Sequence, residues 1–290
     1  MRFKFIAALA ALAGLAFSAL AEEPSTPPAE AVQPAGDEFV IPDGAAVVLE
    51  TVAPLSSEGT QRDQEIPLRL AEAIVIDGVT LAPAGAEAGG VLLDTGRGRP
   101  GWPGKIVIVA RWVLINGERI PVHAAQFMRT GEHGLVERSV MTGRAPIFIP
   151  VEYTTLYGSD VELAAGARLT GHLGAQISRA DTTSDIPAGH ARVIFFRPDR
   201  GVGGWRTYNI HDGEMRIGRL RNRSSFEYEA PAGIHEFSAG THGEETLRFE
   251  AVAGTTYYVR LLLAPGRDMN LPILRPSTRN NYYVALQRAR

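Results

Sequence analysis

The clearest signal for a fold class lies in residues 105–118, which read KIVIVARWVLINGE. Two apolar runs, at 105–109 and 111–115, contain mostly the β-branched and aromatic residues that strands favour. They are followed by Asn116-Gly117, a pair that favours a two-residue hairpin turn because both positions accept a positive φ. The stretch therefore predicts strands that reverse direction at a tight turn.

Short apolar or alternating runs also occur on both sides of this stretch, and Gly, Pro and Asx turns separate them. Several of these turns end in a glycine that can take a positive φ, often after a proline that presets the turn. They are Pro42-Asp43-Gly44, Pro83-Ala84-Gly85, Ala164-Ala165-Gly166, Pro187-Ala188-Gly189, Pro231-Ala232-Gly233 and Val252-Ala253-Gly254. The pattern predicts an all-β chain with two β-sandwich or barrel-like domains in tandem.

The polarity of the chain suggests where the domains meet. The first all-β domain is expected over residues 38–175, and the second, a β-sandwich, over residues 190–290. The intervening residues 176–189 are rich in Ser, Thr and Asp and are expected to form a linker. The last residues, from Ser277 onward, favour a short helix with Ser277 or Thr278 near its cap.

The N-terminus has the features of a secretory signal peptide over residues 1–21. Arg2 and Lys4 precede a short apolar run that ends at Ala19-Leu20-Ala21, a small-residue cleavage site. Residues 22–37 are rich in Pro, Ala and Glu and are expected to form a disordered tether. The sequence thus predicts a protein secreted through the inner membrane into the periplasm, with no transmembrane segment in the mature chain.

Composition excludes several classes of function. The 290 residues include no cysteine, which rules out disulfides, thiol catalysis, Cys-ligated zinc and a lipoprotein anchor. The formal net charge is only -3, so the chain as a whole offers no reason to expect nucleic acid binding. The charge is uneven, however: 22 acidic and 12 basic side chains give residues 22–189 a charge of -10, whereas 10 acidic and 15 basic ones give residues 190–290 a charge of +5.

The second domain resembles a bacterial domain-of-unknown-function family of small envelope β-sandwiches that are often found in lipoproteins. The resemblance follows the order of four motifs over about residues 188–290. They are ARVIFFRP at 191–198, DGEMRIGRL at 212–220, APAGIH at 230–235 and AGTTYYVR at 253–260. It implies a β-sandwich fold and an envelope location, and it implies no activity. Unlike the lipoprotein members, this chain has no lipobox cysteine.

The first domain is weakly similar to the β-domain of the conjugation-machinery channel subunit that reaches the outer membrane. The similarity lies in turns and strand starts over about residues 38–125. They are IPDG at 41–44, LSS at 55–57, IDG at 76–78, LAPAG at 81–85, GKI at 104–106 and RIPV at 119–122. It implies a β-domain fold for this part of the chain.

One motif points to catalysis. Residues 91–96 read VLLDTG, the apolar-Asp-Thr-Gly pattern of aspartic peptidases, in which two carboxylates share a proton and activate water. The chain has one such motif, so a working pair would require a homodimer with Asp94 from each copy. The alternative is a strand that ends in a glycine-rich turn.

Other residues could contact a ligand or partner. Gly98, Gly101, Gly104 and Lys105 loosely resemble a phosphate-binding loop, but the pattern departs from that motif and favours a mobile surface loop. Trp102 would lie at its tip, where it could bind a sugar or a partner or fold back onto its own domain. Trp205 is a second candidate aromatic contact. The densest basic cluster contains Arg219, Arg221 and Arg223, which would share one face of a strand and bind an anion, or simply form a solvated edge.

The sequence therefore predicts a secreted, non-catalytic cell-envelope protein that acts as an interaction or assembly module. The alternative is a binding module for a glycan or an anionic envelope polymer, with Trp102, Trp205 or the three arginines as contacts. A homodimeric aspartic peptidase is the third hypothesis. We expect no cofactor and no metal, because the seven histidines are scattered and show no ligand spacing. The expected partner is an envelope protein or an anionic polymer.

Overall fold

The computed structural model describes residues 44–76, 78–144, 147–174, 185–199, 205–240, 245–264 and 271–287, of which 135–144, 147–156 and 286–287 are described by their backbone alone. The predicted signal peptide, the tether and most of the predicted linker lie outside these ranges. Residues 41–290 form one compact unit.

Strands dominate the structure. Those of the first half are β1 (Ala46–Thr51), β2 (Leu55–Ser56), β3 (Gln64–Leu70), β4 (Ile74–Ile76), β5 (Val79–Ala82), β6 (Glu87–Gly96), β7 (Lys105–Ile115), β8 (Glu118–His123), β9 (Gln126–Thr130), β10 (His133–Arg144), β11 (Ile147–Gly158), β12 (Glu162–Leu163) and β13 (Arg168–Leu173). Those of the second half are β14 (His190–Arg197), β15 (Tyr208–Asp212), β16 (Met215–Leu220), β17 (Ser224–Pro231), β18 (Gly233–Ala239), β19 (Leu247–Ala251), β20 (Thr256–Ala264) and β21 (Leu271–Ser277), followed by the helix α1 (Arg279–Gln287).

Six strands of the first half close into an antiparallel barrel, in the order β1-β3-β6-β7-β8-β13 and back to β1. β8 pairs with one half of β7 and β9 with the other half. The strands β10 and β11 form a separate two-stranded ribbon, paired from His133 with Gly158 to Arg144 with Ile147.

Every second side chain along the barrel strands points inward, and these side chains fill the barrel. In β1 the buried residues are Val47, Leu49 and Thr51, whereas those between them are partly exposed.

Between the strands, the recurring turn glycine has a positive φ at every described occurrence, namely Gly44, Gly85, Gly166, Gly189, Gly233 and Gly254. The predicted turn conformation is therefore confirmed, and glycine is needed there because other residues rarely take a positive φ.

The second half is a β-sandwich of two four-stranded sheets. One has the order β17-β14-β20-β21, in which β14 and β20 run parallel, and the other has the order β16-β15-β18-β19. Aromatic rings fill the space between the sheets: Phe195 stacks on Phe226 at 5.2 Å and meets Phe237 edge-on at 5.1 Å. The expected all-β class with barrel-like and sandwich domains in tandem is confirmed.

The barrel and the sandwich pack directly on each other. Leu93, Val107 and Val109 point out of the barrel and belong to the same hydrophobic cluster as the sandwich core. Strand β19 lies against β6 and β7, and β21 lies against β9. Both are edge strands of the sandwich, so the barrel covers edges that would otherwise be open to pairing with other chains.

Candidate functional site

Asp94, the one catalytic candidate from the sequence, lies at the junction between barrel and sandwich and is 0% exposed. Its Oδ1 accepts a hydrogen bond from Nε of Arg62 at 2.6 Å. Its Oδ2 accepts one from Nζ of Lys105 at 2.7 Å and one from the backbone N–H of Arg248 at 2.9 Å. Residues of both halves thus surround this carboxylate, and its side chain has no exposed surface.

Lys105 extends the buried charge network into the sandwich. Its ammonium group also donates to the carbonyl oxygen of Thr246 and lies 3.7 Å from Oε1 of Glu245. Glu245 in turn accepts from Arg275 at 2.8 Å. Burial lowers the pKa of Lys105, while the charges of Asp94 and Glu245 oppose that shift. Because each of these buried charges faces an opposite charge, the network is suited to joining the two halves.

The glycine-rich segment after Asp94 forms a hydrogen-bonded turn in which residues 101–104 are buried, which corrects the expectation of a surface loop. Arg99 and Trp102 exchange two backbone hydrogen bonds of 2.8 and 2.7 Å across Pro100 and Gly101. Proline at the second position and a glycine with φ of 75° at the third are the residues of a type II turn. The backbone amide of Gly98 donates a hydrogen bond to Oδ1 of Asp160 at 2.6 Å. A phosphate-binding loop would need this amide to be free for the phosphate.

Trp102 is buried by the sandwich and is only 7% exposed. Its ring clusters with Leu262, Ala264 and Ile273, and the guanidinium carbon of Arg99 lies 4.0 Å from the ring centroid. The proposed contact role of Trp102 therefore needs correction, because this indole packs inside the protein and does not present a free face to a ligand.

The three predicted arginines do not share one strand face. β16 ends at Leu220, so only Arg219 lies on the strand, and Arg221 and Arg223 belong to the turn that follows. Arg223 has a φ of 56° and pairs with Asp199, whereas Arg219 and Arg221 have no side-chain partner among the described residues. The alternation argument is wrong here because it assumed a strand longer than the structure contains.

Trp205 is the most exposed large apolar side chain among the described residues, at 82%. The guanidinium of Arg206 lies 5.0 Å from its ring. Because Tyr208 pairs with Leu220, the residues just before β15 and those just after β16 lie at the same end of their sheet. We call this region, Trp205, Arg206, Arg221 and Arg223, the arginine end.

A cleft of about 440 Å³ opens above the buried network, where barrel and sandwich meet. Its cations come from the barrel, namely Arg62, Arg97, Arg99 and Lys105, and the sandwich contributes Glu245 and Thr246. Most of these charges are already paired, since Arg97 meets Glu58 and Arg62 meets Asp94 and Glu236. Sequence reasoning missed Arg62 and Glu245, which approach this site only through the tertiary fold.

A second and larger depression, about 690 Å³, lies on the outer surface of the barrel over β3, β6 and β7. Trp112 forms part of its floor, and Glu65, Glu87, Arg111 and Arg119 lie around it. We call it the Trp112 groove. Sequence reasoning passed over Trp112 because it sits within an apolar run. The signal that could have found it is the Gly89-Gly90 pair in the neighbouring strand, since glycine inside a strand often marks a place where another group approaches the backbone closely.

Two further features bear on function. Within the described ranges, no group of three or more His, Cys, Asp or Glu side chains could hold a metal ion. No helix in the same part of the chain is long and apolar enough to cross a membrane.

Comparison with protein families, with curated proteins and with solved structures finds no significant match to this chain.

Proposed function

We propose that this protein is a non-catalytic binding protein of the bacterial cell envelope, in which barrel and sandwich act as one rigid body that docks onto an envelope partner. The observation that carries the proposal is the position of Asp94. The residue that would perform peptidase chemistry is 0% exposed and is held by Arg62, Lys105 and the backbone of Arg248.

The same geometry argues against the homodimeric peptidase. A shared proton requires two carboxylates within a few ångströms of each other and a water molecule between them and the substrate. The nearest groups to Asp94 are cationic or backbone donors of its own chain. A second copy could bring its own Asp94 close only if the junction between barrel and sandwich came apart.

The arginine end is the surface best suited to docking. Exposed tryptophan and arginine are the residue types that most often supply binding energy at protein interfaces. Trp205 is 82% exposed, and the adjacent arginines favour an acidic partner surface. The expected signal peptide and the resemblance of residues 188–290 to envelope β-sandwiches support an envelope location.

Photo-crosslinking in the native envelope tests this role. A photoreactive amino acid would replace Trp205 or Arg221 in the full chain, and Val75, which is 55% exposed on strand β4 of the first half, would serve as the control position. A discrete protein adduct from positions 205 and 221 but not from 75 is the expected result. The absence of adducts at both positions would remove the arginine end as a docking surface.

A second candidate function is binding to an anionic envelope polymer. It is favoured by Arg219 and Arg221, whose guanidinium groups face no carboxylate within the described part of the chain. In this case the adducts sediment with polysaccharide, and retention of the protein on that material falls steeply as salt is added, because exposed charge pairs are screened. Binding to a protein through the Trp205 side chain is less sensitive to salt.

A further inference from the structure

The Trp112 groove differs from the surfaces discussed above because its floor is flat and apolar while its edge is polar. The floor is formed by Pro67, Gly89 and Trp112, which lie side by side on neighbouring strands, since Gly89 pairs with both of the others. The indole lies on the outside of the barrel and is partly exposed. The outward-facing barrel residues Leu93 and Val107, by contrast, are covered by the sandwich.

Gly89 allows the indole to lie flat. A Cβ at position 89 would come within 2.4 Å of Cε2 of Trp112, so any other residue would push the ring away. The backbone itself does not require glycine there, because Gly89 is not among the residues with a positive φ. A glycine inside a strand weakens the strand, so its presence here is explained by the close approach of the ring.

An exposed arginine lies over the indole of Trp112. The guanidinium carbon of Arg119 lies 4.2 Å from the ring centroid, and Arg119 is exposed and has no carboxylate partner among the described residues. A cation–π contact at an exposed site is weak, so a ligand could displace or slide beside this side chain. Arg111, by contrast, is held by Glu250 at 2.9 Å.

Two carboxylates at the edge of the groove are unused. Glu65 and Glu87 are both exposed, and neither carboxylate has a hydrogen-bond or ion-pair partner in the described part of the chain. Ionised carboxylates accept hydrogen bonds, and the guanidinium of Arg119 donates them. The groove therefore combines an aromatic plane with acceptors and donors that are free to pair with hydroxyl groups.

We propose that the Trp112 groove binds a short neutral oligosaccharide, with a sugar ring on Trp112 and its hydroxyl groups on Glu65, Glu87 and Arg119. A pyranose ring has an apolar face of C–H groups and an equator of hydroxyls, which matches a flat floor with a polar edge. A volume of 690 Å³ falls within the range of small-molecule sites. Glu65 and Glu87 would repel uronates and phosphates, so this site selects uncharged sugars and not the anionic polymer considered above.

This site deepens the proposed non-catalytic binding role and rests on it. The two can fail separately, because the first is tested by crosslinking at the arginine end and the second by direct titration of the purified full chain.

The titration uses the tetramer of N-acetylglucosamine as the probe, followed by NMR of the tryptophan indole N–H signals. The expected result is a saturable shift of the Trp112 signal with a Kd of about 1 mM or tighter, and no shift of the buried Trp102 signal. The variant Glu65→Gln/Glu87→Gln keeps the fold because both residues are exposed and unpaired, and it is expected to weaken binding about tenfold or more.

Trp112→Ala should abolish binding, but it also uncovers Gly89 and could loosen the barrel. Arg119→Ala is expected to weaken binding, because it removes a hydrogen-bond donor from the groove. Val75→Ala, at an exposed position that does not line the groove, is the control and should leave the affinity for the tetramer unchanged. The proposal is overturned if the tetramer causes no shift at about 10 mM, or if affinity is the same in the Glu65→Gln/Glu87→Gln variant. In either case Trp112 serves only to cover Gly89.

Discussion

Asp94 shows how the same residue can support opposite interpretations in sequence and in structure. The sequence shows the apolar-Asp-Thr-Gly motif, but it cannot show which groups surround the carboxylate. Arg62 lies 32 positions before Asp94, and the amide of Arg248 lies 154 positions after it. Arg62 comes close to Asp94 because β3 pairs with β6, and Arg248 does so only when the sandwich packs on the barrel. Local patterns therefore could not have distinguished a catalytic carboxylate from a buried ion-pair partner.

Replacing Asp94 by asparagine should destabilise the protein strongly. The amide keeps the shape of the side chain but leaves Lys105, 1% exposed, without its closest counter-charge. Removing one partner of a buried pair costs about 3–5 kcal/mol in free energy of unfolding, because the other charge stays buried. Urea-induced unfolding of Asp94→Asn measures this loss.

Asp63→Asn is the matched control, since Asp63 also bridges barrel and sandwich, through Arg248 at 3.0 Å, but its side chain is 64% exposed. An exposed pair contributes about 0–1 kcal/mol. If both variants lost the same small amount of stability, the junction would depend on apolar packing alone and the buried network would contribute little.

At the scale of single elements, turns were easier to predict than pairings. Asn116-Gly117 forms the predicted hairpin, with Ile115 opposite Glu118 and φ values of 50° and 83° at the two turn positions. The short C-terminal helix is also confirmed, and Oγ1 of Thr278 accepts a hydrogen bond from the amide of Asn281 near its start. These signals are local, because a turn or cap is set by residues adjacent in sequence.

Non-local pairings could not be predicted in the same way. The two apolar runs of residues 105–115 form one continuous strand, β7, which changes neighbour from β9 to β8 along its length. Closure of the barrel depends on β1 pairing with β13, two strands more than 110 residues apart in sequence. Alternation of side chains indicates that a residue faces a core, but it does not indicate which strand lies beside it.

The glycine-rich turn offers a test at this scale. A methyl group at position 98 would lie 2.2 Å from the carbonyl carbon of Ser159, which is backbone and cannot rotate away. We expect Gly98→Ala to lower the free energy of unfolding by about 1–3 kcal/mol, because it forces the two segments apart. Thermal unfolding followed by circular dichroism measures the change.

Gly59→Ala is the control for Gly98→Ala. Nothing lies within 4 Å of a Cβ at position 59, and its φ is not positive, so alanine should be tolerated or slightly stabilising. Equal effects of the two substitutions would mean that the turn can move away from residues 159 and 160 at little cost.

At the scale of the whole molecule, the two halves were predictable and their junction was not. On their overall charges of -10 and +5, an acidic half would attract a basic one. The contacts instead run both ways: Arg111 of the barrel meets Glu250 of the sandwich, and Arg248 of the sandwich meets Asp63 of the barrel. Overall charge could not reveal this, because the junction is made by a few apolar side chains and buried ions.

A shared core predicts that barrel and sandwich unfold together. Leu92 and Leu93 are adjacent and equally buried, yet Leu92 belongs to the barrel core and Leu93 to the cluster that includes the sandwich core. Truncating a buried leucine to alanine costs about 2–5 kcal/mol. If the two halves form one cooperative unit, Leu92→Ala lowers the hydrogen-exchange protection of sandwich amides in β14 as much as that of barrel amides in β1.

Leu93→Ala distinguishes cooperative unfolding from simple destabilisation. It removes a side chain from the junction, so it should weaken the coupling itself and separate the protection of β14 from that of β1. If Leu92→Ala affected barrel amides only, the halves would be independent domains that merely touch. A rigid two-part body would then be ruled out, and each half would have to bind its partner alone.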